Sequence, residues 1–97
     1  ASISAGLDYP GVSPIHCFLK DTKRARYTTA TDEGALNAYK LVTKLEKINP
    51  SLEPSHAFAE AIKIAPKLNK DTIIIVNSCG DAKKDRDILK ARLGKAI

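Results

Sequence analysis

The sequence predicts an α/β fold: a partial parallel sheet in the order β-α-α-β-α, preceded by an N-terminal loop arm. Three observations predict it. Ala35, Leu36, Ala38, Tyr39, Val42 and Leu45 recur at three- and four-residue intervals, the mark of an amphipathic helix. Ile73-Ile74-Ile75-Val76 is an unbroken branched-aliphatic run, as expected of a strand covered on both faces. A second β-prone stretch, rich in aromatic and β-branched residues, lies at 24–30. Two parallel strands with a helical crossover make part of a sheet and leave two open edges. The chain reads as a slice of a larger fold.

Residues 1–20 form the loop arm. Ser4-Ala5-Gly6-Leu7-Asp8-Tyr9-Pro10-Gly11 has turn chemistry throughout, with Pro10 and Gly11 as punctuation. A short amphipathic helical piece around 15–19 is expected after Pro14, which suits a first turn. Residues 21–97 form the partial α/β unit. After the strand at 24–30, Thr31 is placed to cap a helix of about 15 residues, and Asp32 and Glu33 suit its positive end. Pro50 and Pro54 bracket a loop. Ser55 is then expected to cap a second helix whose buried face carries Phe58, Ala61, Ile62 and Ala65, with Pro66 at its end. The strand at 72–77 closes on Ser78-Cys79-Gly80. A last helix runs from about Ala82, carries Ile88, Leu89 and Leu93, and stops at Gly94.

Composition narrows the function classes. The chain has 97 residues, 43% hydrophobic and 28% charged, with five aromatics among Phe, Trp and Tyr together. That describes a globular domain and excludes a disordered or collagen-like chain. The longest aliphatic run is far short of the roughly 20 residues of a membrane span. No leader pattern opens the chain, and the absence of Met suggests an excised or processed piece. Cys17 and Cys79 are far apart and lack metal-ligand spacing, so a reduced, cytoplasmic protein is expected. The net charge of +5 comes from clusters at Lys20–Arg26 and Lys83–Lys95. Only Tyr27 lies near either, so the pattern reads as solvated helix faces and does not favour nucleic acid. The five glycines are isolated and build no phosphate cradle. His16 and Cys17 are sequence neighbours whose side chains should diverge.

The specific signal is a set of segments in register. Ser4–Gly11, Thr31-Asp32-Glu33 with Ala35-Leu36, Ala38 and Tyr39-Lys40, Pro50 and Leu52-Glu53 with Ser55-His56-Ala57, and Ile75-Val76-Asn77 with Gly80 follow one another without large gaps. Together they resemble the C-terminal quarter of the tryptophan synthase β chain, a fold-type II pyridoxal-phosphate enzyme. The resemblance implies an activity: L-serine and indole are joined into L-tryptophan on a lysine-anchored cofactor, in a complex with an α chain that supplies indole. By position, it places Cys79 where the family has a Ser that hydrogen-bonds the pyridine nitrogen, with Ser78 and Gly80 beside it. Glu53 matches a glutamate beside the cofactor, Gly6 a glycine whose backbone approaches substrate, and Asp8 an aspartate that gates closure. Tyr9 and Gly11 match positions whose carbonyls bind a monovalent cation. Residue by residue, blander roles exist as well: Cys79 as a small strand-end hydrophobe, Glu53 as a charge favouring the helix that follows, Gly6 and Asp8 as turn residues, His56 as a helix-start residue.

The chain also departs from the family. Where the family reads Ser-Gly-Arg-Gly-Asp-Lys-Asp, Cys79-Gly80-Asp81-Ala82-Lys83-Lys84-Asp85 stands here, and Gly34 replaces a capping-box Glu. The Schiff-base lysine, the Gly-rich phosphate loop and the general-base glutamate have no match in these residues, so the segment alone is expected to be inactive and to self-associate through its open edges. Two other readings remain: another fold-type II lyase of the serine or threonine dehydratase kind, compatible with Cys79, and a small basic module that binds acidic partners.

Overall fold

The computed structural model describes residues 2–9 and 11–94, and is built from helices and the segments between them. Four α-helices follow in order: α1 (Pro14–Asp21), α2 (Asp32–Glu46), α3 (Leu52–Ile64) and α4 (Arg86–Leu93). Short 3-10 turns occupy Ala5–Leu7, Ala65–Lys67 and Ala82–Asp85. Pro10 and Lys95, assigned above to a turn and a basic cluster, lie outside the described residues.

The expected parallel sheet is absent among the described residues. Residues 26–31 and 72–79 carry no regular structure, and neither makes a ladder with the other or with any described segment. The reason is physical. A helix satisfies its amides within its own turns, whereas a strand needs a neighbour about 5 Å away to become one. Ile73 and Ile75 are 86% and 90% exposed, the reverse of the two-sided burial that their aliphatic run suggested.

The helices follow the sequence more closely. In α1, Pro14 takes the first turn and the Ser13 hydroxyl accepts the Ile15 amide. This helix runs to Asp21 and so makes the end of the loop arm regular. In α2, Thr31 caps as expected: its Oγ1 accepts the Gly34 amide at 3.0 Å. Ala35, Leu36, Ala38, Tyr39 and Val42 are buried, while Leu45 at the end of the same stripe is 62% exposed. Gly94 ends α4 in the left-handed region (φ +70°), its amide donating to the Lys90 carbonyl.

The third helix begins three residues before the expected cap. Ser51, not Ser55, is its N-cap, and the Leu52 amide is satisfied from a distance, by Asp85 Oδ2 at 2.9 Å. Pro54 then falls in the first turn, where a missing amide hydrogen costs nothing. Ser55 sits inside the helix and donates to the Ser51 carbonyl at 2.7 Å. The expected inner face is not the buried one: Leu52, Pro54 and Ser55 are buried, Phe58 and Ala61 are half-buried, and Ile62 is exposed. The α2 and α3 helices pack together. Leu36, Tyr39, Leu52 and Leu89 form the core, with Ile3, Ile88 and Leu93 against it. This core brings three remote parts of the chain to one place: the residues around Ser4, the start of α3, and the turn that opens α4.

Candidate functional site

The start of α3 organises that meeting point. Leu52, fully buried, anchors the helix, so Glu53 next to it is held at the surface of the core. The Glu53 carboxylate accepts three hydrogen bonds from two other segments. The Gly6 amide donates to Oε2 at 2.8 Å, and Lys84 Nζ donates to Oε1 and Oε2 at 2.7 and 3.0 Å. Lys84 also donates to Asp85 Oδ1 at 2.7 Å, and Asp85 is buried, its other oxygen capping Leu52. One ammonium thus joins two carboxylates, and both are fixed at the N-terminus of α3, where negative charge is favoured.

Electrostatics follow from these contacts. Burial pushes the Glu53 carboxyl up, but the bonds from Lys84 and the Gly6 amide outweigh it and hold the group down at about 2. For Lys84, burial favours loss of the proton, yet Asp85 and then Glu53 raise its pKa above the ordinary lysine value. The pair is therefore ionised at neutral pH.

A second contact joins the Cys79 turn to the same helix start. Ser51 Oγ donates to the Cys79 carbonyl at 2.8 Å, and Gly80 follows with φ +85°. A Cβ on Gly80 would come within 2.9 Å of Ser51 Oγ, so this approach requires glycine. A Cβ on Gly6 would meet the Glu53 carboxylate at 2.7 Å, so that side chain would have to shift. Beside Glu53 opens a cleft of about 910 Å³, lined by Leu7, Val12, Thr28, Asp32, Glu53 and His56 among others. His56 Nδ1–H donates to the Leu52 carbonyl at 2.7 Å, which leaves Nε2 facing Asp32 at 4.0 Å. Asp32 also accepts the Ile3 amide at 3.3 Å.

The site residues expected from sequence divide into two groups. Gly6, Glu53 and Gly80 converge on the α3 start, with Cys79 tied there through its carbonyl. Ser78 and Cys79 are exposed and do not line the cleft. Asp8, Tyr9 and Gly11 are exposed as well; the Asp8 amide closes the first 3-10 turn on the Ala5 carbonyl, and Tyr9 is 75% exposed. His16 shares a 2.8 Å hydrogen bond with the Tyr27 hydroxyl, so its partner is not Cys17. Among the described residues no cluster of His, Cys, Asp and Glu could hold a metal ion, and no helix is long and apolar enough to cross a membrane.

Sequence reasoning missed Ser51, Lys84 and Asp85. A signal for two of them was present, because Lys84 and Asp85, with Gly80, match the post-strand motif of the resemblance drawn above. The altered position Asp81 has found a local role: its carboxylate accepts the Lys83 amide at 2.9 Å and caps the turn.

The start of α3 thus gathers an ionised carboxylate, a glycine amide and a lysine beside a cleft. The sequence of the segment shows what the chain is similar to. The chain is similar to the tryptophan synthase beta chain of Fusobacterium nucleatum, 62% identical over 84 residues that cover 87% of this chain and 21% of that one. It is 55% identical to the Cereibacter sphaeroides tryptophan synthase beta chain over 93 residues, 96% of this chain and 23% of the relative. The Ruegeria protein of the same name is 53% identical over 93 residues, 22% of its length. No protein-family model matches the chain. The 97 residues match a C-terminal segment of tryptophan synthase beta chains and span under a quarter of the length of these relatives.

Proposed function

We propose that the segment works within a longer β chain that joins L-serine and indole into L-tryptophan with pyridoxal phosphate, and that it supplies one edge of that site. The observation that carries this reading is the junction itself. Gly6, Glu53, Gly80 and the Cys79 carbonyl, four positions the family resemblance singles out, meet at the start of α3 through direct hydrogen bonds and close backbone approach.

The residues present fit one edge of the cofactor and no more. Cys79 is exposed at the end of an extended segment, and Ser51 holds its carbonyl, so the thiol is free to serve as a weak donor to a ring nitrogen. Gly80 admits close approach there, with Ser78 next to it. Pyridoxal phosphate, when bound, supplies the electron sink that lets the serine hydroxyl leave. Glu53 contributes a fixed negative charge facing the cleft, Gly6 orients that charge through its amide, and Asp8 gates the opening. Tyr9 and Gly11 offer carbonyls to a monovalent cation. An α chain that supplies indole is the partner this reading implies. A single thiol hydrogen bond contributes about 1 kcal/mol, too little to hold a cofactor, so the isolated segment should bind none tightly.

The test uses the full-length chain with pyridoxal phosphate. Tryptophan formed from serine plus indole is the expected result. Consumption of serine without any tryptophan would replace this reading with a dehydratase. Desalting the isolated 97 residues after incubation with the cofactor should leave none bound.

A further inference from the structure

We propose that Lys84 is a positioning residue: it holds Glu53 as a fixed anion and ties the turn that opens α4 to the start of α3, so Glu53 serves the site as a charge and acceptor and never as a proton donor. The inference deepens the reading above, since it assumes that Glu53 faces the reacting groups. Five hydrogen bonds support it. Lys84 engages both oxygens of Glu53, at 2.7 and 3.0 Å, and the Gly6 amide occupies Oε2 as well. Its third contact is to Asp85, whose far oxygen caps the buried Leu52 amide.

Lys84 is itself 44% exposed, and what sets it apart from an ordinary surface pair is that it links two carboxylates held by other contacts. Exposed Lys–carboxylate pairs are worth little because both side chains must be ordered. Here the two carboxylates are already ordered, Asp85 by burial and the Leu52 amide, Glu53 by the Gly6 amide. Lys84 then loses its own freedom only once for two ion pairs. The titratable groups around Glu53 are Lys84 and Asp85 from the turn before α4, and His56 one helical turn along α3, with Asp32 beyond it. Both acids would disfavour charge on Glu53. Lys84 is the one group in that set that is a cation at neutral pH whatever the state of His56.

The consequence is chemical. A carboxyl that stays ionised throughout the working pH range cannot act as a general acid. It can accept a hydrogen bond or stabilise a positive charge that develops in the cleft. Proton delivery at this site therefore falls to another group.

The full-length chain with carbon-13 at the glutamate carboxyls tests this, the Glu53 signal being identified by its loss in Glu53→Gln. The wild-type signal should remain mainly that of a carboxylate as pH falls through 4.5 and titrate only towards about 2. Titration at 4.5 or above in the wild type overturns the proposal, whatever the variants do. In Lys84→Met the midpoint should rise by about one pH unit or more, and the acid limb of the tryptophan-forming rate should rise with it. Lys84→Arg should restore both. An unchanged midpoint in a folded Lys84→Met protein also overturns the proposal. Should the full-length wild type make no tryptophan, the proposed function fails, while the carboxyl titration still decides the role of Lys84.

Discussion

The two halves of this molecule solve the same problem with different success. The helical half, α2 with α3 and α4, buries Leu36, Tyr39, Leu52 and Leu89 in a shared core and caps its own ends. The extended half, residues 26–31 and 72–79, carries the most β-prone composition in the chain and leaves Ile73 and Ile75 in solvent. Both are apolar enough to be buried. What separates them is where their hydrogen bonds go. Helices close theirs locally, whereas an extended segment needs a neighbour to pair with, and none pairs with these among the described residues.

The strongest way to break the comparison is to attack the half that is packed. Leu52→Ala should cost about 2–5 kcal/mol in the 97-residue chain, because the side chain is fully buried where α2, α3 and α4 meet. Denaturant unfolding measures it. Asp85→Ala comes next, at about 1–3 kcal/mol, since it strands the buried Leu52 amide and removes one partner of Lys84. Gly80→Ala should cost about 1–2 kcal/mol, from the left-handed backbone and from the contact with Ser51. In the extended half, Ile75→Ala should stay within about 0.5 kcal/mol of wild type in the same chain, because the side chain touches little. A large loss at Ile75 would mean that the strand run is packed after all, and a light-scattering mass above one chain would locate its partner in a second copy.

Acid sharpens the comparison further. Glu53 has a folded-state pKa of about 2 against an ordinary 4.5, so the stabilisation it gives is complete above 4.5 and is lost as pH falls from 4.5 towards 2. Melting temperatures of wild type and Glu53→Gln should therefore converge through that window and differ above it. No such window is expected from the extended half, which contributes no comparable ion pair among the described residues.

Much of this was legible in the sequence, and what was not has a common cause. Thr31, the α2 stripe, Pro14 and Gly94 act within their own elements, and each stands where local chemistry put it. The expected cap, Ser55, falls four residues after the observed one, Ser51, because the Leu52 amide is satisfied by Asp85, 33 residues away in sequence, and no local pattern reports a partner supplied from that distance. The strands were read from composition that presumes a sheet, and composition does not say whether the neighbouring strands are present. At the site, Glu53 and Gly6 were found through the family resemblance, but Lys84 was counted as part of a solvated basic run. Only the fold shows that this one lysine is committed to two carboxylates.

Hydrogen exchange along the 97-residue chain tests the central contrast most directly. The amides of Ile73, Ile74, Ile75 and Val76 should exchange at nearly the free rate, while those of Ala38, Tyr39 and Val42 are protected. Protection at 73–76 comparable to that in α2 would contradict the account, because the aliphatic run would then be paired.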